Sequence, residues 1–102
     1  MQYLCQLDDI VPNTGVCALV NQQQIALFRL SNDRIFAIDN YDPFSEANVL
    51  SRGIIGDLEN QIVVASPIHK QHFNLESGQC LEDPEIKLTT YSVKIQEGAI
   101  YL

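Results

Sequence analysis

The chain has 102 residues, 46% of them hydrophobic and 19% charged, with 13 acidic against 6 basic side chains and a formal net charge of −7. This is the size and composition of one globular domain spanning 1–102, not of a disordered segment. An acidic surface without a basic patch argues against nucleic acid or an anionic membrane as partner.

The first nine residues, Met1 to Asp9, carry no basic segment, apolar run or small-residue cleavage site, and do not read as a signal peptide. No apolar segment reaches the roughly 18 residues that a bilayer crossing needs. Three cysteines, Cys5, Cys17 and Cys80, stand in no disulfide-rich spacing, which predicts a cytoplasmic protein with reduced thiols. Each is flanked by apolar residues and reads as a small core side chain.

The first clear strand is Val16–Val20, turned at Asn21-Gln22 into Ile25–Leu30. A turn at Ser31-Asn32-Asp33-Arg34 returns the chain as Ile35–Asp39. Asp42-Pro43-Phe44-Ser45-Glu46 carries the one helical signal, an Asp cap followed by Pro. Gly53 follows so closely that it allows only a short helical turn within 42–50. The Glu59-Asn60 turn opens a strand at Gln61–Ala65. Phe73–Leu75 is short and turns through Glu76-Ser77-Gly78-Gln79 towards Cys80-Leu81. Tyr91–Ile95 alternates, with Val93 and Ile95 on one face, and Glu97-Gly98 leads into Ala99–Leu102. The five glycines and four prolines fall between these runs. The pattern predicts an all-β fold of small antiparallel sheets, a sandwich or partial barrel that protects its edges by closure.

Two loops stand out, Asn40–Gly53 and Ser66–His72. The second holds both histidines of the chain. Ser66 and His69 lie three apart, but no G-x-S-x-G elbow surrounds them, and the plainer reading has the Ser66 hydroxyl capping a turn. His69 and His72, with Asp42, are the side chains available for a mononuclear metal. The Cys-x₂-Cys and His-x₃-His spacings of structural zinc sites do not occur. The acidic stretch Glu82-Asp83-Pro84-Glu85 reads as a solvated loop, with contact to a basic partner surface as the alternative.

The two loops resemble those of Rieske-type domains, in which the first carries Cys-x-His and the second Cys-x-x-His. Val63-Val64-Ala65 running into Ser66-Pro67-Ile68-His69, then Phe73-Asn74-Leu75 and Ser77-Gly78-Gln79, is similar to the second of these. In that register Asp42 and Phe44 take the first Cys and His places, Ser66 takes the second Cys place, and His69 alone keeps a ligand identity. A Rieske 2Fe–2S centre needs two thiolates on one iron and two imidazoles on the other, so the resemblance implies the fold without its redox centre. The chain is further similar, over nearly its whole length, to the small subunits of assimilatory NAD(P)H-dependent nitrite reductases. Thr14-Gly15-Val16-Cys17-Ala18-Leu19, Asn40-Tyr41-Asp42-Pro43-Phe44-Ser45, Val49-Leu50-Ser51-Arg52-Gly53, Val63-Val64-Ala65-Ser66-Pro67, Lys70-Gln71-His72-Phe73 and Cys80-Leu81-Glu82-Asp83-Pro84 carry that likeness. It implies a cofactor-free accessory subunit in the cytoplasm. The partner is a large subunit holding FAD, sirohaem and a 4Fe–4S cluster, which reduces nitrite to ammonium. The competing readings are a Rieske-type electron-transfer ferredoxin and a free-standing β-barrel interaction module. Tyr41, Phe44, Ile68 and His72 are the expected apolar and aromatic docking patch, with Lys70 beside it. The plainer alternatives turn Phe44 inward and leave Lys70 a solvated charge.

Overall fold

Short runs of β-branched and aromatic residues pair here as antiparallel strands. The computed structural model describes residues 2–102. In chain order the strands are β1 (Tyr3–Gln6), β2 (Thr14–Val20), β3 (Gln23–Arg29), β4 (Ile35–Asp39), β5 (Tyr41–Asp42), β6 (Ala47–Asn48), β7 (Ile54–Leu58), β8 (Gln61–Ala65), β9 (His72–Asn74), β10 (Thr90–Tyr91), β11 (Lys94–Gln96) and β12 (Ala99–Tyr101). No α-helix occurs among the described residues. The helical pieces are single 3₁₀ turns at Leu7–Asp9 and Leu50–Arg52.

The strands form sheets in the orders β10-β4-β3-β2, β1-β12-β11 and β7-β8-β9, with β5-β6 as a separate ribbon. Three hairpins turn in two residues with positive φ at both: Asn21-Gln22, Glu59-Asn60 and Glu97-Gly98. That backbone matches the right-handed twist of the strands it joins, which is why Asn and Gly recur there.

The β10-β4-β3-β2 sheet is the middle layer. On one side Ala26, Phe28 and Ile38 pack with Leu50, Val64, Phe73 and Leu75. On the other, Ile25, Leu27 and Ala37 pack with Ile10 and Ile100. Because β3 faces a core on both sides, Ile25-Ala26-Leu27-Phe28 is buried without interruption.

The all-β reading holds, with differences in detail. β1 and β7 are strands that the residue pattern did not mark. Gly15 and Gly56 lie inside β2 and β7, not between runs. Gly15 sits where a Cβ would be 2.7 Å from both the Phe28 ring and Ser51 O. Tyr91–Ile95 is not one strand: β10 pairs with β4, whereas β11 pairs with β12 in another sheet. Val93 packs inward and Ile95 stays exposed. Cys80 makes only an isolated bridge, to Phe73. The Asp42 signal produces a single turn, closed by Glu46 N donating to Asp42 O at 2.8 Å, between β5 and β6.

Candidate functional site

The end of β4 leads into the first loop through Asn40, which is buried. Its side-chain amide donates to Gln24 Oε1 at 2.9 Å and its Oδ1 accepts from Ser51 N at 2.7 Å. Leu50 N donates to Asn40 O at 3.1 Å. Asn40 therefore fastens the loop to the 3₁₀ turn at Leu50–Arg52.

Strand alternation then sends Tyr41 outward and Asp42 inward. Asp42 is 0% and Ser66 1% accessible. Ser66 Oγ donates to Asp42 Oδ2 at 2.5 Å, and Phe44 N donates to Asp42 Oδ1 at 2.9 Å. Burial pushes the Asp42 carboxyl up, but the hydrogen bonds it accepts, led by those from the Ser66 hydroxyl and the Phe44 amide, outweigh it and hold the group below the usual aspartate value. The second loop closes on the same hydroxyl-bearing residue. Ser66 N donates to Gln71 O at 2.9 Å, and Lys70 N donates to Ser66 O at 3.2 Å. Lys70 ends the turn in the left-handed region at φ +66°. A buried carboxylate–hydroxyl bridge thus joins the two loops across 24 residues of sequence. Two polar atoms of this end, Ser45 Oγ and Gln71 Oε1, are buried without a hydrogen-bond partner among the described residues.

Phe44 is half-buried and packs against Phe73, with ring centroids 6.1 Å apart. Tyr41, Ile68, His69 and Lys70 are exposed. His72 is half-buried and held by Glu82: its N–H donates to Oε1 and its Nδ1 lies against Oε2, both at 2.7 Å. Burial raises the Glu82 carboxyl, and its hydrogen bonds with His72 bring it below the ordinary glutamate value. Glu82 is therefore not simply part of a solvated loop.

The structure brings Asp42 and Ser66 together and leaves His69 and His72 apart from them. No group of three or more His, Cys, Asp or Glu side chains among the described residues is placed to hold a metal ion. Ser66 is not placed as a nucleophile, because its hydroxyl is buried and donates to a carboxylate. The cysteines lie outside both loops. Cys80 is in the core and Cys5 half-buried, but Cys17 faces solvent on β2, contrary to the core reading. Sequence reasoning marked Asn40 only as the start of the first loop and Glu82 only as part of the acidic stretch, and missed what their side chains hold. Asn40 carried a weak signal, a polar residue directly after a strand and before two turn-forming loops. Glu82 carried none, since its partner is ten residues away across a non-local bridge.

The family model for the Rieske-like [2Fe-2S] domain matches residues 1–102. The chain is 46% identical to the nitrite reductase (NADH) small subunit of Salmonella typhimurium over 102 residues, which is 99% of this chain and 94% of that one. The NMR structure of NirD from Escherichia coli matches with a TM-score of 0.89 at 44% identity, covering 97% of this chain and 91% of the other. The chain belongs to the nitrite reductase small subunits. A nitrite reductase [NAD(P)H] large subunit of Klebsiella oxytoca contains a stretch 40% identical to 99% of this chain, amounting to 10% of its own length.

The side chains that the sequence resemblance sets at the Rieske cluster positions do not fit that cluster. Thiolates are needed on one iron and imidazoles on the other. Asp42 and Ser66 are hard oxygen groups, and each already satisfies the other. Phe44 has no donor atom and is committed to Phe73. One imidazole, that of His69, remains. Membership of the fold family carries the frame into this chain, while these four side chains do not supply the two thiolates and two imidazoles of a Rieske cluster.

Proposed function

We propose that the chain is the small, accessory subunit of an NAD(P)H-dependent nitrite reductase and works through association with the large subunit. The observation that carries this is its end-to-end likeness to nitrite reductase small subunits, at 46% identity over 102 residues. The related stretch inside the Klebsiella oxytoca large subunit supports the association, since there the domain and the large subunit are one polypeptide.

In this reading nitrite is reduced to ammonium in the cytoplasm on the large subunit, where FAD, sirohaem and a 4Fe–4S cluster reside. The chain itself holds no cofactor and passes no electrons, because its donor set cannot hold a Rieske cluster. What it offers is a surface. The contact is made by the end that carries Tyr41, Ile68, Lys70 and His72, together with the exposed part of Phe44. Tyr41 and Ile68 are 44% and 49% exposed, apolar area that a partner would remove from water.

The test is reconstitution. Adding the purified, colourless chain to its cognate large subunit should yield a complex on size exclusion and raise nitrite-dependent NADH oxidation. A chain that purifies with iron and visible absorption, or one that neither binds nor stimulates, would overturn the proposal.

A further inference from the structure

We propose that Ile54 and Arg52 join Tyr41, Ile68 and Lys70 in one docking face, which seats on an apolar patch of the large subunit rimmed by carboxylates. This rests on the reading above that the loop end faces that subunit.

The apolar centre follows from strand register and the buried bridge. Ile54 pairs with Ala65, the residue before Ser66, and is 72% exposed. Tyr41 precedes Asp42, and Ile68 lies two residues beyond Ser66. Tyr41 and Ile68 thus stand within two residues of the Asp42–Ser66 bridge along the chain, and Ile54 one strand pairing away from it. Behind them the loops are fixed by Asn40 and by that bridge, so docking would order little backbone and lose little entropy.

Charge sets the chemistry of the rim. Of the six basic side chains, Arg29 pairs with Asp8 and Asp33, and Arg34 with Glu76. The other four, Arg52, Lys70, Lys87 and Lys94, form no ion pair among the described residues, and two of them, Arg52 and Lys70, lie in or beside the two loops. Arg52 and Lys70 are exposed; Arg52 precedes Gly53, which lies against Val64 and Ala65 of β8, and Lys70 N donates to Ser66 O. Arg52 closes the 3₁₀ turn that Asn40 holds, and Lys70 closes the Ser66 turn. Of the acidic groups in and beside these loops, Asp42 is buried in its bridge and Glu82 is paired with His72, while Glu46, Asp57 on β7 and Glu85 are exposed. A chain of net charge −7 thus turns two free cations and an apolar centre towards one side. An acidic-rimmed partner is attracted there and repelled by the remaining surface, which fixes orientation as well as encounter rate.

The experiment measures affinity of the full chain for its cognate large subunit by interferometry, at low and at high sodium chloride. R52E and K70E should each weaken binding about tenfold at low salt, and the difference from the native chain should shrink at high salt. K94E, on β11 in another sheet, is the control for net charge and should leave affinity within about twofold. I68D tests the face itself and should weaken binding at both salt levels. All four positions are exposed, and unchanged melting curves would verify folding. If I68D weakens binding while R52E and K70E match the native chain, the face stands and the carboxylate rim is overturned. If K94E weakens it as much as they do, only net charge is at work and the rim is again overturned. If none of the four has an effect, the reading of this end as the docking face falls with it. Self-association of the chain that K70E abolishes would point to a second copy as occupant and overturn the assignment to the large subunit.

Discussion

Asp42 and Ser66 form a closed exchange: one buried carboxylate oxygen meets one buried hydroxyl, with the Phe44 amide on the other oxygen. Removing the hydroxyl leaves a buried carboxylate short of a donor, which costs roughly 1–3 kcal/mol. S66A should therefore melt lower by some 4–8 °C per kcal/mol lost in a chain of this size, measurable by calorimetry. The pH dependence has a definite sign. The Asp42 carboxyl sits below its unfolded value, near 3.9, so the unfolded chain takes up the proton first. The stability it contributes is fully present above about pH 5 and is lost as acid carries the solution below that unfolded value. D42N removes a titrating group, so its melting temperature should fall less steeply between about pH 5 and 2 than that of the native chain. An equal slope in both would show that the bridge is not what acid breaks. The residue identities at this pair were legible in the sequence, as oxygen groups standing at thiolate places. The bond between them was not, because nothing in a sequence reports a contact across 24 positions. The same holds for Phe44, whose inward packing depends on Phe73 in a separate strand.

Elements with local signals were the ones read correctly. The Asn21-Gln22, Glu59-Asn60 and Glu97-Gly98 turns need a left-handed backbone, and their residue types announce it. β7 was missed because an edge strand with Gly56 and Asp57 and mostly exposed side chains shows neither alternation nor an apolar run. The break between β10 and β11 has a tertiary cause. Tyr91 OH donates to Asp39 Oδ1 at 2.6 Å and fastens β10 to β4, after which Val93 packs into the other core as the chain crosses to the next sheet. Packing between elements also explains Gly53. It lets the Leu50–Arg52 turn rest on β8, and a Cβ there would strike Ala65 O and lie 2.7 Å from Val64 Cγ2. Since the obstruction includes backbone, G53A should cost about 1–3 kcal/mol. It should also displace the turn that presents Arg52. A urea titration of G53A with an unchanged midpoint would show that the turn can lift off β8 without loss.

At the scale of the molecule, two loops from separate sheets must be held together at one end. In a cluster-bearing Rieske domain metal ligation crosses that gap, and folding then depends on ligand thiolates and iron. Here the crossing is made by the Asp42–Ser66 bridge and the Phe44–Phe73 contact, while Asn40 braces the first loop against β3 and the Leu50–Arg52 turn, all built from the chain alone. A group that binds the native state stabilises it by mass action, and its removal lowers the melting temperature accordingly. If no metal contributes to this fold, an excess of chelator should leave the melting temperature within about 1 °C. Refolding with ferrous iron and sulfide should leave it equally unmoved and produce no visible absorption. S66A provides the contrast, since it should melt lower with or without chelator. A drop of several degrees on chelating the native chain, absent in S66A, would reverse the argument: the oxygen pair would then be holding a cation, not replacing one.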